Sequence, residues 1–365
     1  MPAVPPSIQL PDTDRYRPWT LAETVQHLDD RLKTGNLDLY QPIPLGLPQI
    51  DACLGGGMHA EDLVLLGGVQ NVGKTIVCLQ AAFSIAASGH ALPIVVCYEH
   101  SRETLLHRLI CCASTDDPNA AQPNGVTQTE IESAVLGYFE QAASPVERQQ
   151  LDLDWILRRL PMAERAWWKL RSCLDRLWLV HGDSLDTTLE HLERYVELAR
   201  YYHYRRVVLI VDYAQRMPLS PSLMHVGLDE SRRIDLIMRG LKSLAMTHGV
   251  PVLAVAAADA EGLRQQRIHV ENLWGPATVQ YEPDVAIILN RDTLDPTSGE
   301  RWVRVAIEKN RHGPSEVEFR HRLHGAFYLL SPEGDRVPES ESYQHERVSL
   351  KTAAQRHGDD RLTPD

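Results

Sequence analysis

The chain has 365 residues, 43% of them hydrophobic, with 37 basic against 49 acidic side chains and a formal net charge of −12. This length and apolar content allow one large α/β domain or two ordinary ones around a real core. The acidic balance excludes a protein that grips nucleic acid with its whole surface, so any such contact must come from a local basic patch, and no apolar run approaches a membrane span.

Residues 1–18 are Pro-rich and polar, and MPAVPPSIQLPDTDRYRPW lacks the apolar core of a signal peptide. Thr20–Lys33 reads as a helix: Thr20 and Glu23 form a capping box, Leu21, Val25, Leu28 and Leu32 line one face, and Gly35 stops it. From Asp62 strands and helices alternate. DLVLLGG is a strand, a helix starts at Gly73, PIVVCYE is a strand, and a helix starts at Ser101. Residues 115–166 show no β signal and are expected to be a loop with one or two helices, over Thr129–Ala143 and Val146–Arg159. RLWLVHG, a helix around Thr188–Tyr202, RRVVLIVDYAQ, a helix around Glu230–His248, VPVLAVAAA, PDVAIILNRD and RWVRVAIEKNR follow. The short, continuous apolar β runs suit a sheet covered on both faces. Beyond Ser331 the chain is polar and expected to be disordered. The expected domains are therefore an N-terminal extension over 1–36, an α/β domain over 37–330, and a tail over 331–365. Cys53, Cys78, Cys97, Cys111, Cys112 and Cys173 form no C-x-x-C pair, which predicts a reduced, cytoplasmic protein with buried thiols and no zinc site.

Four stretches carry chemistry. GVQNVGKT, Gly68–Thr75, fits G-x-x-x-x-G-K-[ST] between a strand and a helix. Such a loop wraps phosphate oxygens with consecutive backbone N–H groups, here those of Gly68, Val69, Gln70, Asn71, Val72 and Gly73. Gly73 allows close approach, Lys74 neutralises the β and γ phosphates, and Thr75 offers a hydroxyl to Mg²⁺. The following helix adds its N-terminal dipole. The motif alone does not separate ATP from GTP. VVLIVDYAQ delivers Asp212 to the C-terminal end of a central strand, where an Asp can hold Mg²⁺. Glu99 ends the strand that follows the phosphate-loop helix; it is placed to deprotonate an attacking water, or else is a solvated cap of the next helix. AIEKNRHGP puts Lys309 and Arg311 on a tight turn after a strand, either solvated or held out toward a negative charge. His100 and His107 read as surface or interface residues rather than ligands.

The order of these blocks resembles the RecA-like ATPase core of the DnaB-family replicative helicases, from Pro44 to about Leu330; KaiC-like and RadA-like ATPases share that core. GGGMHAEDLVLLGGVQNVGKT resembles the family's entry loop, strand and phosphate loop. VVCYEHSRETLLHRL resembles the strand and helix with the catalytic Glu, and VVLIVDYAQRM the Mg²⁺-binding strand. IMRGLKSLAMTHGVPVLAV, EPDVAIILNRD and VAIEKNRHGP resemble the elements that follow. The resemblance implies an α/β, RecA-like P-loop fold with a mostly parallel twisted sheet flanked by helices. It implies ATP and Mg²⁺, with Lys74 and Glu99 catalytic and Thr75 and Asp212 at the metal. It also implies a homo-oligomeric ring, expected to be a hexamer, in which Lys309 and Arg311 of one subunit reach the γ-phosphate held by the next. Thr20–Lys33 then resembles the linker helix that packs on a neighbour, the alternative being packing on its own core.

The sequence departs from the family in three places. Only some forty residues precede the core, which puts docking to a primase in doubt. Ala257 stands where a Gln senses the γ-phosphate, with Asp259 and Ala260 in place of Asn and Arg, and Trp274 stands where an Arg is expected. Candidate contacts to single-stranded DNA are Arg264, Arg267 and His269, and Arg232 and Arg233 after the loop MPLSPSLMHVG. The reading is an ATP-driven helicase motor acting in DNA replication or a related transaction, with no membrane partner. Its alternative is a regulatory or loader ATPase that switches assembly state without unwinding DNA, favoured by Ala257 and the short N-terminal part.

Overall fold

The computed structural model describes residues 18–35, 37–142, 144–221, 229–292 and 300–338. The chain divides into two compact units, Met1–Gln41 and Pro42–Asp365. The first holds helix α1 (Leu21–Lys33). Its capping box closes both ways: the Glu23 N–H donates to Thr20 Oγ1 at 3.2 Å and the Thr20 N–H to the Glu23 carboxylate at 2.8 Å. Leu21, Val25 and Leu32 are exposed and no residue of α1 is buried.

In the second unit, α2 (Pro48–Cys53) leads to β1 (Leu63–Gly68), α3 (Lys74–Ser88), β2 (Leu92–Cys97) and α4 (Arg102–Ser114). Four helices follow, α5 (Gln128–Gln141), α6 (Pro145–Arg148), α7 (Leu153–Leu157) and α8 (Pro161–Arg171). Then come β3 (Trp178–His181), α9 (Leu189–Tyr201), β4 (Val207–Asp212), α10 (Glu230–His248) and β5 (Val252–Ala257). A short α11 (Thr278–Tyr281) precedes β6 (Val285–Asp292), β7 (Trp302–Asn310), β8 (Val317–His324), β9 (Leu329–Leu330) and β10 (Asp335–Arg336).

The sheet runs β10–β8–β7–β6–β1–β5–β4–β2–β3, with β9 on β8. From β3 to β6 the strands are parallel; from β6 to β10 they are antiparallel. β1, β2 and β4 are buried at every position, as strands covered on both faces must be. Val64 and Leu66 of β1 face the core built with α3, α4 and α8, while Leu63 and Leu65 face α9 and α10. The edge strand β3 is half-exposed.

Two expectations change. The helix expected over Val146–Arg159 is broken into α6 and α7, because the Asp152 carboxylate accepts the Trp155 N–H at 2.7 Å and starts a new helix, and Pro161 starts the next. Ala163, Ala166 and Leu170 of α8 then pack into the α3–α4 core, so this helical segment buttresses α4. The body also runs past Leu330: Ser331 and Val337 are buried and β10 pairs with Phe319 and Arg320. Two paired residues are too short to register as a sequence pattern. The rest of the expected tail lies outside the described residues.

A buried turn ahead of β1 depends on one carboxylate. Asp51, on α2, reaches back to accept the N–H groups of Leu45 at 2.7 Å, Gly46 at 3.0 Å and Leu47 at 3.1 Å. Asp51→Ala strands three donors, each worth about 1–3 kcal/mol when left unpaired and buried. Allowing for relaxation, a loss of about 2–4 kcal/mol is expected in urea unfolding, and a smaller one for Asp51→Asn, which keeps one acceptor oxygen.

Candidate active site

The loop between β1 and α3 reverses direction at Gly73, whose φ of 107° lies in the left-handed region that a side chain rarely adopts. At Gly68 a Cβ would sit 2.7 Å from Val72 Cγ1, so the loop closes only without one. Lys74 folds back over it: Nζ donates to the Gly68 and Val69 carbonyls, both at 2.8 Å. Burial lowers the Lys74 pKa, and the carboxylates of Asp212 and Glu99 oppose that shift.

Thr75 Oγ1 donates to Asp212 Oδ2 at 2.6 Å. Asp212 is buried; burial pushes its carboxyl up and the Thr75 hydrogen bond pulls it down. Behind it Cys97 Sγ lies 3.9 Å from Oδ2, and burial pushes this thiol up to about 11. Cys78, fully buried on α3, is pushed well above the usual thiol range for the same reason. The register explains the convergence: Cys97 pairs with Asp212 and Gly68 with Ala257, so the strand ends meet at one edge. Glu99, two residues past β2, is exposed and lines the same cavity, of about 590 Å³, as Lys74, Thr75 and Asp212. A hydroxyl and a carboxylate in contact beside a phosphate loop are hard oxygen donors that fit Mg²⁺.

Three further arginines line the cavity; Arg108 and Arg216 lie within VVCYEHSRETLLHRL and VVLIVDYAQRM, but no sequence pattern gives any of the three a role. Arg108 lies two turns into α4, its guanidinium 4.8 Å from the Tyr328 ring, with Nε buried and without a hydrogen-bond partner among the described residues. Arg216 donates to Tyr213 Oη at 2.9 Å, and Arg301 lines the same cavity. Position on the helix that opens just after Glu99 is the one signal that pointed to Arg108. At Ala257 the polar atoms come from Gln215, which accepts the Ala257 N–H at 3.2 Å and donates to the Trp274 carbonyl at 3.1 Å. This amide ties the ends of β4 and β5 together.

The suggested DNA contacts divide. Arg264 is exposed. Arg267 is 13% exposed and ion-paired with buried Glu318, and His269 Nδ1 is 2.7 Å from Glu308, so both side chains are engaged within the fold. Arg233 is pinned to Glu230 and to the carbonyls of Gln215 and Met217, whereas Arg232 is largely exposed beside Asp235. The loop over 222–228 lies outside the described residues.

Lys309 and Arg311 sit at the opposite end of the sheet from the phosphate loop. Lys309 pairs with Ala286, next to Val285, which pairs with Val64 at the start of β1; Gly68, at its end, pairs with Leu289. Four strand steps at ~3.3 Å separate the two ends by roughly 13 Å. Lys309 Nζ donates to the Gln280 and Tyr281 carbonyls at 3.2 and 2.8 Å, and Arg311 pairs with Asp284 at 3.1 Å while remaining 58% exposed.

The family model described as DnaB-like helicase C terminal domain matches residues 42–325. The replicative DNA helicase DnaB of Nostoc sp. is 26% identical over 65% of this chain and 22% of its own length. The replicative DNA helicase DnaC of Bacillus subtilis is 20% identical over 74% of this chain and 52% of its own. The chain thus spans about half, or less, of the length of these relatives. Among solved structures, an ATPase domain superposes with a TM-score of 0.64 at 17% identity, over 86% of this chain and 99% of that one. A DnaB-like replicative helicase, described together with its interactions with primase, gives 0.62 at 15%, over 88% and 68%. These two likenesses bear on fold, which is that of a RecA-like ATPase domain. No helix among the described residues is long and apolar enough to cross a membrane.

ATP with Mg²⁺ should raise the melting temperature, and Lys74→Ala should abolish that rise. A Lys74→Ala protein that shifts as far as the parent on adding ATP would refute the nucleotide site.

Proposed function

Since the chain belongs to the DnaB-like helicase C-terminal domain family, we propose that it is an ATP-hydrolysing DNA helicase motor, working in the cytoplasm as a homo-oligomeric ring, expected to be a hexamer, on single-stranded DNA in replication or a related transaction. The phosphates of ATP lie in the 68–75 loop, and Lys74 leaves the carbonyls of Gly68 and Val69 to neutralise them. Thr75 and Asp212 hold Mg²⁺, which when bound offsets the charge on the phosphate oxygens. Glu99 orients the attacking water and takes its proton. Lys309 and Arg311 supply positive charge to the γ-phosphate of the neighbouring subunit.

The observation that carries this reading is the placement of those two cations: both stand at the wrong end of the sheet for their own phosphate loop, Lys309 half-buried at the end of β7 and Arg311 exposed on the turn that follows. Supply in trans makes hydrolysis depend on assembly. On the DNA side, Arg264 remains a candidate contact. A second reading, an ATP-driven assembly switch that does not unwind DNA, is favoured by the end of β5, where Ala257 presents a methyl group and the Gln215 amide is engaged with backbone.

Glu99→Gln should bind ATP like the parent and turn it over about 10²–10⁴-fold more slowly; near-parental turnover would make Glu99 a surface residue. Arg311→Ala should bind ATP normally and hydrolyse it poorly, since trans arginines are worth roughly 10³–10⁵ in rate. Mixing it with Lys74→Ala should restore part of the ATPase, because an intact loop from one then faces an intact turn from the other. Arg311→Ala hydrolysing at the parental rate would remove the trans arrangement. Strand displacement, with single-stranded DNA stimulating the ATPase, supports the motor; nucleotide-dependent assembly with neither supports the switch.

A further inference from the structure

The cations offered to the neighbour are held by a short segment just ahead of β6. Arg311 is gripped twice by Asp284: its backbone N–H donates to the Asp284 carbonyl at 3.2 Å and its guanidinium Nη1 lies 3.1 Å from Oδ1. The carboxylate is itself immobilised. It is 3% exposed, and Oδ2 accepts the Leu63 N–H at 2.9 Å and Lys242 Nζ at 2.7 Å. Lys242 also donates to the Glu61 carbonyl at 2.9 Å. With Oδ2 engaged, Arg311 meets one oxygen through one nitrogen. A guanidinium carries five N–H donors in a rigid fork, so a single-point contact fixes its direction and leaves donors for a phosphate.

The turn carrying Arg311 is anchored on both sides of that contact. Asn310 Nδ2 donates to the Cys53 carbonyl at 2.8 Å, and His312 Nε2 lies 2.9 Å from the Asp62 carboxylate. Lys309 rests on the carbonyls of Gln280 and Tyr281, four and three residues before Asp284. Asp284 is thus where the foot of β1, helix α10 through Lys242, and the basic turn meet.

We propose that Asp284 is a positioning residue for the neighbour's reaction: anchored on Leu63 and Lys242, it sets the direction in which the Arg311 guanidinium leaves the turn. The inference rests on the trans reading above and goes beyond it, because it places part of one subunit's catalytic competence in a buried carboxylate of the other. Misplacement of a charged group by about 1 Å can cost about 10²-fold in rate.

Three ATPase measurements at saturating ATP test it. Asp284→Asn should bind ATP with parental affinity and turn it over about tenfold to a hundredfold more slowly. Mixing it with Lys74→Ala should restore activity, as for Arg311→Ala, because the Asp284→Asn subunit still offers an intact phosphate loop. In an Arg311→Ala background, adding Asp284→Asn should lower the rate no further, since residues acting through one group are not additive. A parental rate in Asp284→Asn, or a further drop in the double variant, overturns the proposal. So does a loss that mixing fails to rescue while Arg311→Ala is rescued: the lesion would then lie in the subunit's own β1 and loop. A parental rate in Arg311→Ala itself overturns the trans reading and this inference with it. If Asp284→Asn shows no cooperative melting transition, Asp284→Glu takes its place; it keeps the buried charge and shifts it by one methylene, and a parental rate there is equally fatal.

Discussion

The structure depends on the burial of β1 between parallel neighbours. Its pairing with β5 and β6 fixes the register of the sheet, and the parallel sense of β2, β4 and β5 brings Cys97, Asp212 and Ala257 level with Gly68. A phosphate loop, an aspartate and a glutamate from separate parts of the chain therefore share one edge. The direction then reverses at β7, and that antiparallel step carries Lys309 and Arg311 to the other edge. One sheet thus carries the phosphate-loop motif at one end and the basic turn at the other, the arrangement that the proposed head-to-tail ring would use.

Much of this was legible in the sequence, and for a physical reason. Phosphate binding needs consecutive backbone groups, so its signature is local, and Gly68–Thr75 could be read directly. Asp212 and Glu99 end apolar runs whose burial forces them to strand termini. What could not be read was assembled at long range. Arg108 meets Tyr328 more than two hundred residues away, a contact that nothing local to either residue announces. Arg267 looked like an open cation because composition does not reveal a partner; Glu318 lies 51 residues on, on β8. The break between α6 and α7 turned on one aspartate competing with the helix for an N–H group.

The charges near β8 show why a net balance says little about a site. Asp292 accepts from Arg304 at 2.9 Å and Arg320 at 2.6 Å, and Arg304 lies 3.7 Å from Glu318, which also holds Arg267. Buried ion pairs of this kind contribute little net stability against an apolar equivalent, yet removing one partner is costly. They knit β6, β7 and β8 into one hairpin layer, so the turn at its end is presented on a stiff support. The same pairing engages Arg267, Arg304 and Arg320 within the chain.

The two thiols behind Asp212 have a chemical consequence. Nucleophilic attack on an oxidant or alkylating agent requires thiolate, and burial keeps Cys78 and Cys97 in the thiol form well past neutral pH. The aspartate that faces the phosphate loop is thus backed by sulfur that is chemically quiet. Hydrolysis should persist under oxidising conditions or iodoacetamide treatment that consumes exposed cysteines. A rapid loss of turnover on such treatment, prevented by bound nucleotide, would mean that the wall behind Asp212 opens to solvent during the cycle.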